Sequence, residues 1–208
     1  MTRLLIATTN SAKLTEYRLL LRDLVGEILS LADVGITESP AEDGASFADN
    51  ALIKARFYFD RAQMPTLADD GGLEVDALGG EPGVRSHRWL GDAQVADHDR
   101  ALAAEVIRRM DGVPAAKRTA RMRAAAALLW RDAGGVHERI VEAAHEGIIA
   151  DAVFDKVQPG FPYRAVFLLP RDGRYLAELD ETEAARLSQR HAAVEKLRDT
   201  LRQIARQD

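Results

Sequence analysis

The chain opens on an apolar run, Leu4-Leu-Ile-Ala7, that gives way at once to the polar Thr8-Thr-Asn10; this change of pattern predicts a buried strand over Arg3–Thr8 and then a turn. Tyr17, Leu20, Leu21 and Leu24 follow at helical spacing, so the turn opens a helix. Ser46-Phe-Ala-Asp49 is a capping-box pattern, in which hydroxyl and carboxylate satisfy free amides at a helix start, and that second helix should reach about Gln63, ahead of Pro65. Thr66–Asp69 and Leu73–Leu78 read as two strands interrupted at Asp70-Gly-Gly72, and Gly79-Gly-Glu-Pro-Gly83 reads as a loop. A helix is expected over about 95–110 and extended segments near 118–130 and 137–147, although the alanine run 124–127 fits a helix as well as a strand. Ala165–Leu169 is another apolar strand. Asp180, Glu181 and Glu183 then open one long final helix whose Leu187, Val194, Leu197, Leu201 and Ile204 share a face.

Strands and helices are mixed along the chain with no repeat and no linker composition, which predicts an α/β class and a single domain over 1–208. An apolar fraction of 47% over 208 residues is ample for a packed core. With 28 Lys and Arg against 33 Asp and Glu there is no broad basic footprint for nucleic acid, yet a locally basic cleft could hold a small polyanion. The absence of cysteine excludes disulfides and thiolate metal sites. The N-terminal apolar run is too short for a signal peptide, and no stretch reaches the roughly 18 apolar residues of a membrane span. A cytoplasmic protein with neither nucleic-acid nor membrane partners is therefore expected.

Four segments carry polar residues that a core pattern does not require: Thr8 to Lys13, Glu42-Asp43, Asn50 with Lys54, and Asp69-Asp70. Asn50 and Lys54 are four apart on the expected helix, so both could reach one anionic ligand. Lys13 stands near a helix N-terminus, where free amides and the dipole favour phosphate. Each has an ordinary reading alone: Lys54 as a solvated charge, Asn10 as a simple cap, Asp69-Asp70 as a turn. Together they fit phosphate chemistry, in which carboxylates beside a polyphosphate need a cation, and Mg²⁺ is the cation that prefers such oxygens. Glu42 and one of Asp69 or Asp70 are then metal candidates and the other Asp a candidate base. The Walker pattern is absent.

These residues resemble the motifs of the inosine triphosphatase family. Thr8, Asn10, Lys13 and Glu16 match Thr-x-Asn-x-x-Lys-x-x-Glu; Glu42 to Lys54 resembles the second motif; Ala68-Asp-Asp-Gly-Gly-Leu-Glu-Val-Asp-Ala-Leu-Gly-Gly-Glu-Pro-Gly83, with Ser86 and Arg88, resembles the third. The resemblance covers nearly the whole chain. It implies an elongated mixed sheet with flanking helices in two lobes around a nucleotide cleft, a homodimer, and hydrolysis of a nucleoside triphosphate to the monophosphate and pyrophosphate by water attacking the α-phosphate. By the same resemblance Asp70 is the catalytic carboxylate, Glu42, Asp69 and Asp70 lie at or beside the metal, and Asn10, Lys13 and Lys54 fall on triphosphate contacts, with Thr8, Asn50 and Gly71 as further substrate-binding candidates.

The second half departs from the family. Its Gly-Gly-Phe-Gly-Tyr-Asp-Pro stands here as Pro159-Gly-Phe-Pro-Tyr-Arg-Ala165, so Phe161 could still stack on a base while Arg164 reverses a charge. Its Ser-His-Arg stands as Ser188-Gln189-Arg190, its preceding Lys aligns with Arg174, and Gly71 replaces a Ser beside Asp70. Either Arg164 points to solvent while Gln189 and Arg174 replace His and Lys in kind, or the base pocket is altered. The leading expectation is a pyrophosphatase acting on noncanonical purine nucleotides (inosine, deoxyinosine or xanthosine triphosphate); the same chemistry on a different or modified nucleotide, and a nucleotide sensor without turnover, are the alternatives.

Overall fold

The computed structural model describes residues 3–91 and 97–206. Its strands are β1 (Arg3–Ile6), β2 (Glu27–Leu29), β3 (Thr66–Val75), β4 (Thr119–Asp132), β5 (Gly135–Ile149) and β6 (Phe167–Leu168), joined in one sheet of order β2-β1-β3-β4-β5-β6. The sheet is mixed, since β1 runs parallel to β2 and β3 whereas β6 is antiparallel to β5. The flanking helices are α1 (Ser11–Leu21), α2 (Phe47–Ala62), α3 (His98–Arg109), α4 (Glu181–Arg186) and α5 (Gln189–Ala205). Among the described residues no helix is long and apolar enough to cross a membrane.

The chain divides into two compact units, neither of them one continuous stretch. Met1–Asp70, Ala124–Ala143 and Gln189–Asp208 form the first. Its core joins Leu4 and Ile6 of β1, Tyr17 and Leu21 of α1, Leu67 of β3, Leu128 of β4, and Val194, Leu197, Leu201 and Ile204 of α5. Strand β1 is flanked on both sides by other strands, which explains why Leu4, Leu5 and Ile6 are all buried instead of alternating. Gly71–Arg123 and Ala144–Ser188 form the second unit, whose core sets Leu102, Ala103, Val106 and Met110 of α3 against Leu73 and Val75 of β3 and Phe167 of β6.

Several expectations change. Ala124–Ala127 is strand, with all four side chains buried, because β4 lies between β3 and β5 and the ladder outweighs alanine's helical preference. β3 runs unbroken through Asp70-Gly-Gly72 and ends in a 3₁₀ turn over Asp76–Leu78, where a second strand was expected. Gly72 permits this: a Cβ there would lie 1.9 Å from Ser86 Oγ, which accepts from the Leu73 amide and donates to the Gly83 carbonyl. Near Ala165 only Phe167–Leu168 is strand, after a 3₁₀ turn over Pro162–Ala165.

The expected long last helix is two helices. Asp180 caps α4, and the Ser188 amide bonds to the Ala185 carbonyl, an i to i−3 contact that tightens and closes the turn before α5 begins. Leu187 falls at this break and is 40% exposed, so it does not share the buried face of α5. Helix α3 begins at His98; residues 95 and 96, where it was expected to start, lie outside the described residues.

Candidate active site

The turn between β1 and α1 is built by its own polar side chains. Thr8 Oγ1 accepts from the Asn10 amide, and Asn10 is the N-cap of α1, its Oδ1 accepting from the amides of Ala12 (2.9 Å) and Lys13 (3.1 Å). Two of the first-turn amides expected to favour phosphate are thus taken by the cap. Lys13 lies on the inner face of α1 with Glu16, Tyr17 and Leu21, all buried.

At the start of α2 the capping box forms as expected, with Ser46 and Asp49 each accepting from the other's amide. The preceding loop is drawn onto α2 at Gly44, whose amide donates to Asn50 Oδ1 at 2.8 Å; a Cβ on Gly44 would meet the Asp49 and Asn50 side chains at 2.6 and 2.7 Å. This close approach sets Glu42 beside Lys54. The Lys54 ammonium lies 2.9 Å from Glu42 Oε2 and 3.0 Å from Asp70 Oδ1, while Asn50 Nδ2 donates to Asp70 Oδ2 at 3.2 Å. Asn50 and Lys54 do converge on one anionic group, and in the structure that group is the Asp70 carboxylate.

Asp69 has a different environment. Successive strand residues point to opposite faces, and Asp69 Oδ2 meets Lys13 Nζ at 3.1 Å and Arg190 Nε at 3.0 Å. Arg190 reaches on through Nη1 to Glu16 Oε2 at 3.2 Å. Burial opposes the charge on Asp69, but Lys13 and Arg190 more than offset it and hold the carboxyl far below the usual range. Burial is also the largest influence on Lys13, where it outweighs the pull of Asp69 and lowers the ammonium's pKa. On Lys54 the balance reverses, since Asp70 and Glu42 together overcome burial and raise its pKa. The Tyr17 hydroxyl, buried near Asp69, is pushed well above its ordinary value by burial and by that carboxylate.

The Asp69 side chain has 0% exposure, against 13% for Asp70 and 35% for Glu42. Two cations hold Asp69 Oδ2 while its Oδ1 is buried without a hydrogen-bond partner, so the more accessible carboxylates of this site are Glu42 and Asp70. Their oxygens converge on one cationic position, now held by Lys54, and two hard oxygen donors are what Mg²⁺ takes from a protein when water and phosphate complete its shell. Among the described residues no three or more His, Asp or Glu side chains are gathered to hold a metal ion by themselves. In this network Lys13, Lys54 and Arg190 face the four carboxylates of Glu16, Glu42, Asp69 and Asp70.

Glu16 and Gly44 were visible only as motif letters. A usable signal was present for Glu16: it shares the helical stripe of Lys13, Tyr17 and Leu21, where an acid facing the core requires a buried partner. In the second unit Arg164 is 5% exposed, so it does not point to solvent; its guanidinium stacks 3.8 Å from the Phe161 ring centroid, and Nη1 donates to Gln158 at 3.0 Å. Arg174 is apart from this pair. It is held by Asp172 and Glu183 in the wall of a pocket of about 810 Å³, whose lining includes His145 and Leu187 but neither Phe161 nor Arg164. Gly71 follows Asp70 within β3, and Gln189, buried, is the first residue of α5.

Residues 4–200 match the model of the Ham1 family. A dITP/XTP pyrophosphatase of Geobacillus kaustophilus is 39% identical over 204 residues, covering 98% of this chain and 96% of that protein. One of Methylococcus capsulatus is 41% identical over 204 residues, covering 97% of each. Among solved structures, a HAM1 protein from Coxiella burnetii superposes with a TM-score of 0.80 at 31% identity, covering 98% of this chain and all of that one (100%).

Proposed function

The chain belongs to the Ham1 family, and from that premise we propose that it is a nucleoside-triphosphate pyrophosphatase which hydrolyses noncanonical purine nucleotides, such as deoxyinosine and xanthosine triphosphates, to monophosphate and pyrophosphate. The observation that carries this reading is the division of labour between adjacent carboxylates: Asp69 sealed between Lys13 and Arg190, Asp70 partly open and oriented by Lys54 and Asn50.

Asp70 accepts the proton of the water that attacks the α-phosphate; as the new P–O bond forms, the bond to the bridging oxygen breaks and pyrophosphate departs. Lys54 and Lys13 bind the phosphates, and Asn50 holds Asp70 in the orientation in which one oxygen faces the water. Arg190, with Lys13, keeps Asp69 ionised and fixes this part of β3, which preserves the position of its neighbour Asp70. Glu42 and Asp70 would hold Mg²⁺, which supplies charge neutralisation at the phosphates. Thr8 and Asn10 shape the turn that presents Lys13, and Gly71 leaves room beside Asp70. A single inosine-triphosphatase-like domain, acting as a homodimer in the cytoplasm, completes the reading.

Arg164 favours a second reading of the substrate. A buried cation stacked on Phe161, where the family carries an acid, changes what a base would meet there, and Gln189 stands where the family carries His. Pyrophosphate release from a nucleotide panel, with and without EDTA, tests both. Preference for inosine and xanthosine triphosphates supports the first reading, a different preferred base supports the second, and no turnover of any nucleotide removes both in favour of a sensor.

A further inference from the structure

We infer that Lys54 is a resident counter-ion that a divalent cation must displace, so that metal and triphosphate bind this chain together and each only weakly alone. The inference rests on the reading of Glu42 and Asp70 as the metal-binding pair. The ammonium contacts Glu42 Oε2 and Asp70 Oδ1 at 2.9 and 3.0 Å, one oxygen of each carboxylate assigned to the metal. Both cations cannot occupy that position, since three positive charges would then be pressed against two carboxylates. The Lys54 and Asp70 side chains are only 11% and 13% exposed, so solvent screens little of the repulsion there, and more of it at Glu42, which is 35% exposed.

The ammonium needs another anion if it is to leave. Asp69 is already compensated in charge, because Lys13 and Arg190 both engage its Oδ2, although its buried Oδ1 has no hydrogen-bond partner. Lysine's flexible stem lets the charge swing to a polyphosphate once one is bound, and the vacated carboxylates are then open to the metal. Each ligand therefore prepares the place of the other, which is a positive coupling between two binding events. Lys13 differs in this respect: when it turns from Asp69 to a phosphate, Arg190 still compensates the carboxylate, so no second cation is called for.

Mn²⁺, followed by its electron paramagnetic resonance signal, is titrated into the wild-type chain and into Lys54→Met and Lys54→Arg, with and without the α,β-methylene analogue of inosine triphosphate. Without nucleotide, Lys54→Met should bind Mn²⁺ at least about 10-fold more tightly than wild type, and Lys54→Arg as weakly as wild type. The analogue should tighten Mn²⁺ by about 10-fold or more in wild type and by much less in Lys54→Met. Thermal unfolding gives a second readout: Lys54→Met melts below wild type without metal, and Mn²⁺ raises its midpoint by more than it raises the wild type's. If Lys54→Met binds Mn²⁺ no more tightly while Glu42→Gln abolishes binding, the metal uses the carboxylates without contending with Lys54 and the inference is wrong. If Mn²⁺ binds none of these proteins and pyrophosphate release survives EDTA, the metal-pair reading itself falls and takes the inference with it.

Discussion

Asp69 and Asp70 show how far one step along a strand can separate two identical side chains. Alternation sends Asp69 to Lys13 and Arg190 and Asp70 to Lys54 and Asn50, so the two carboxylates meet different partners, and the proposed function makes only Asp70 the reacting group. Asp70→Asn should leave the fold intact and lower kcat by roughly 100-fold or more, measured as pyrophosphate release. Asp69→Asn should instead cost about 3–5 kcal/mol in urea unfolding, because it leaves Lys13 and Arg190 facing each other in the interior. Since the folded-state pKa of Asp69 is depressed, its contribution is present above the ordinary carboxylate range and is lost only as pH falls far below it. The stability gap between wild type and Asp69→Asn should accordingly persist at pH 4. For the base, Arg164→Asp with Gln189→His should raise kcat/KM for inosine over adenosine triphosphate, each mispaired buried group being worth about 1–3 kcal/mol. An unchanged ranking across the nucleotide panel would return Arg164 and Gln189 to purely structural roles.

At the scale of elements, two close approaches and one helix carry tests. Strand β3 continues past Asp70 only because Gly72 leaves room for Ser86, so Gly72→Ala should destabilise by about 1–3 kcal/mol, and by much less in a Ser86→Gly background. Helix α3 places Glu105 against Arg108 and Arg109, whose hydrogen bonds pull its carboxyl down to about 2. That stabilisation is complete above about pH 4.5, the ordinary value, and disappears as pH falls through 2. Urea midpoints of Glu105→Gln and wild type should therefore differ most near neutrality and converge in acid.

At the scale of the whole molecule, each compact unit has its own apolar core, one around Leu128 and one around Leu102. Leu128→Ala and Leu102→Ala should each cost about 2–5 kcal/mol of unfolding free energy. Sedimentation of the intact chain should give twice 22.8 kDa if it acts as the homodimer proposed; a mass of 22.8 kDa would remove that part of the reading.

What the sequence determined by itself was local. The turn after β1, the Asn10 cap and the Ser46 box are decided within a few residues, because hydroxyls, amides and carboxylates satisfy nearby backbone groups. Motif order along the chain also pointed to the family. Tertiary structure decided the pairings: Lys54 meets Asp70 across 16 residues, Arg190 meets Asp69 across 121 and Glu16 across 174. It also made Ala124–Ala127 a strand, carried β3 through its glycines and divided the last helix at Ser188. Propensity and motif fix which groups are available, but a buried charge is stable only opposite a partner brought to it by the folded core, and that partner's distance along the chain leaves no trace in the local sequence.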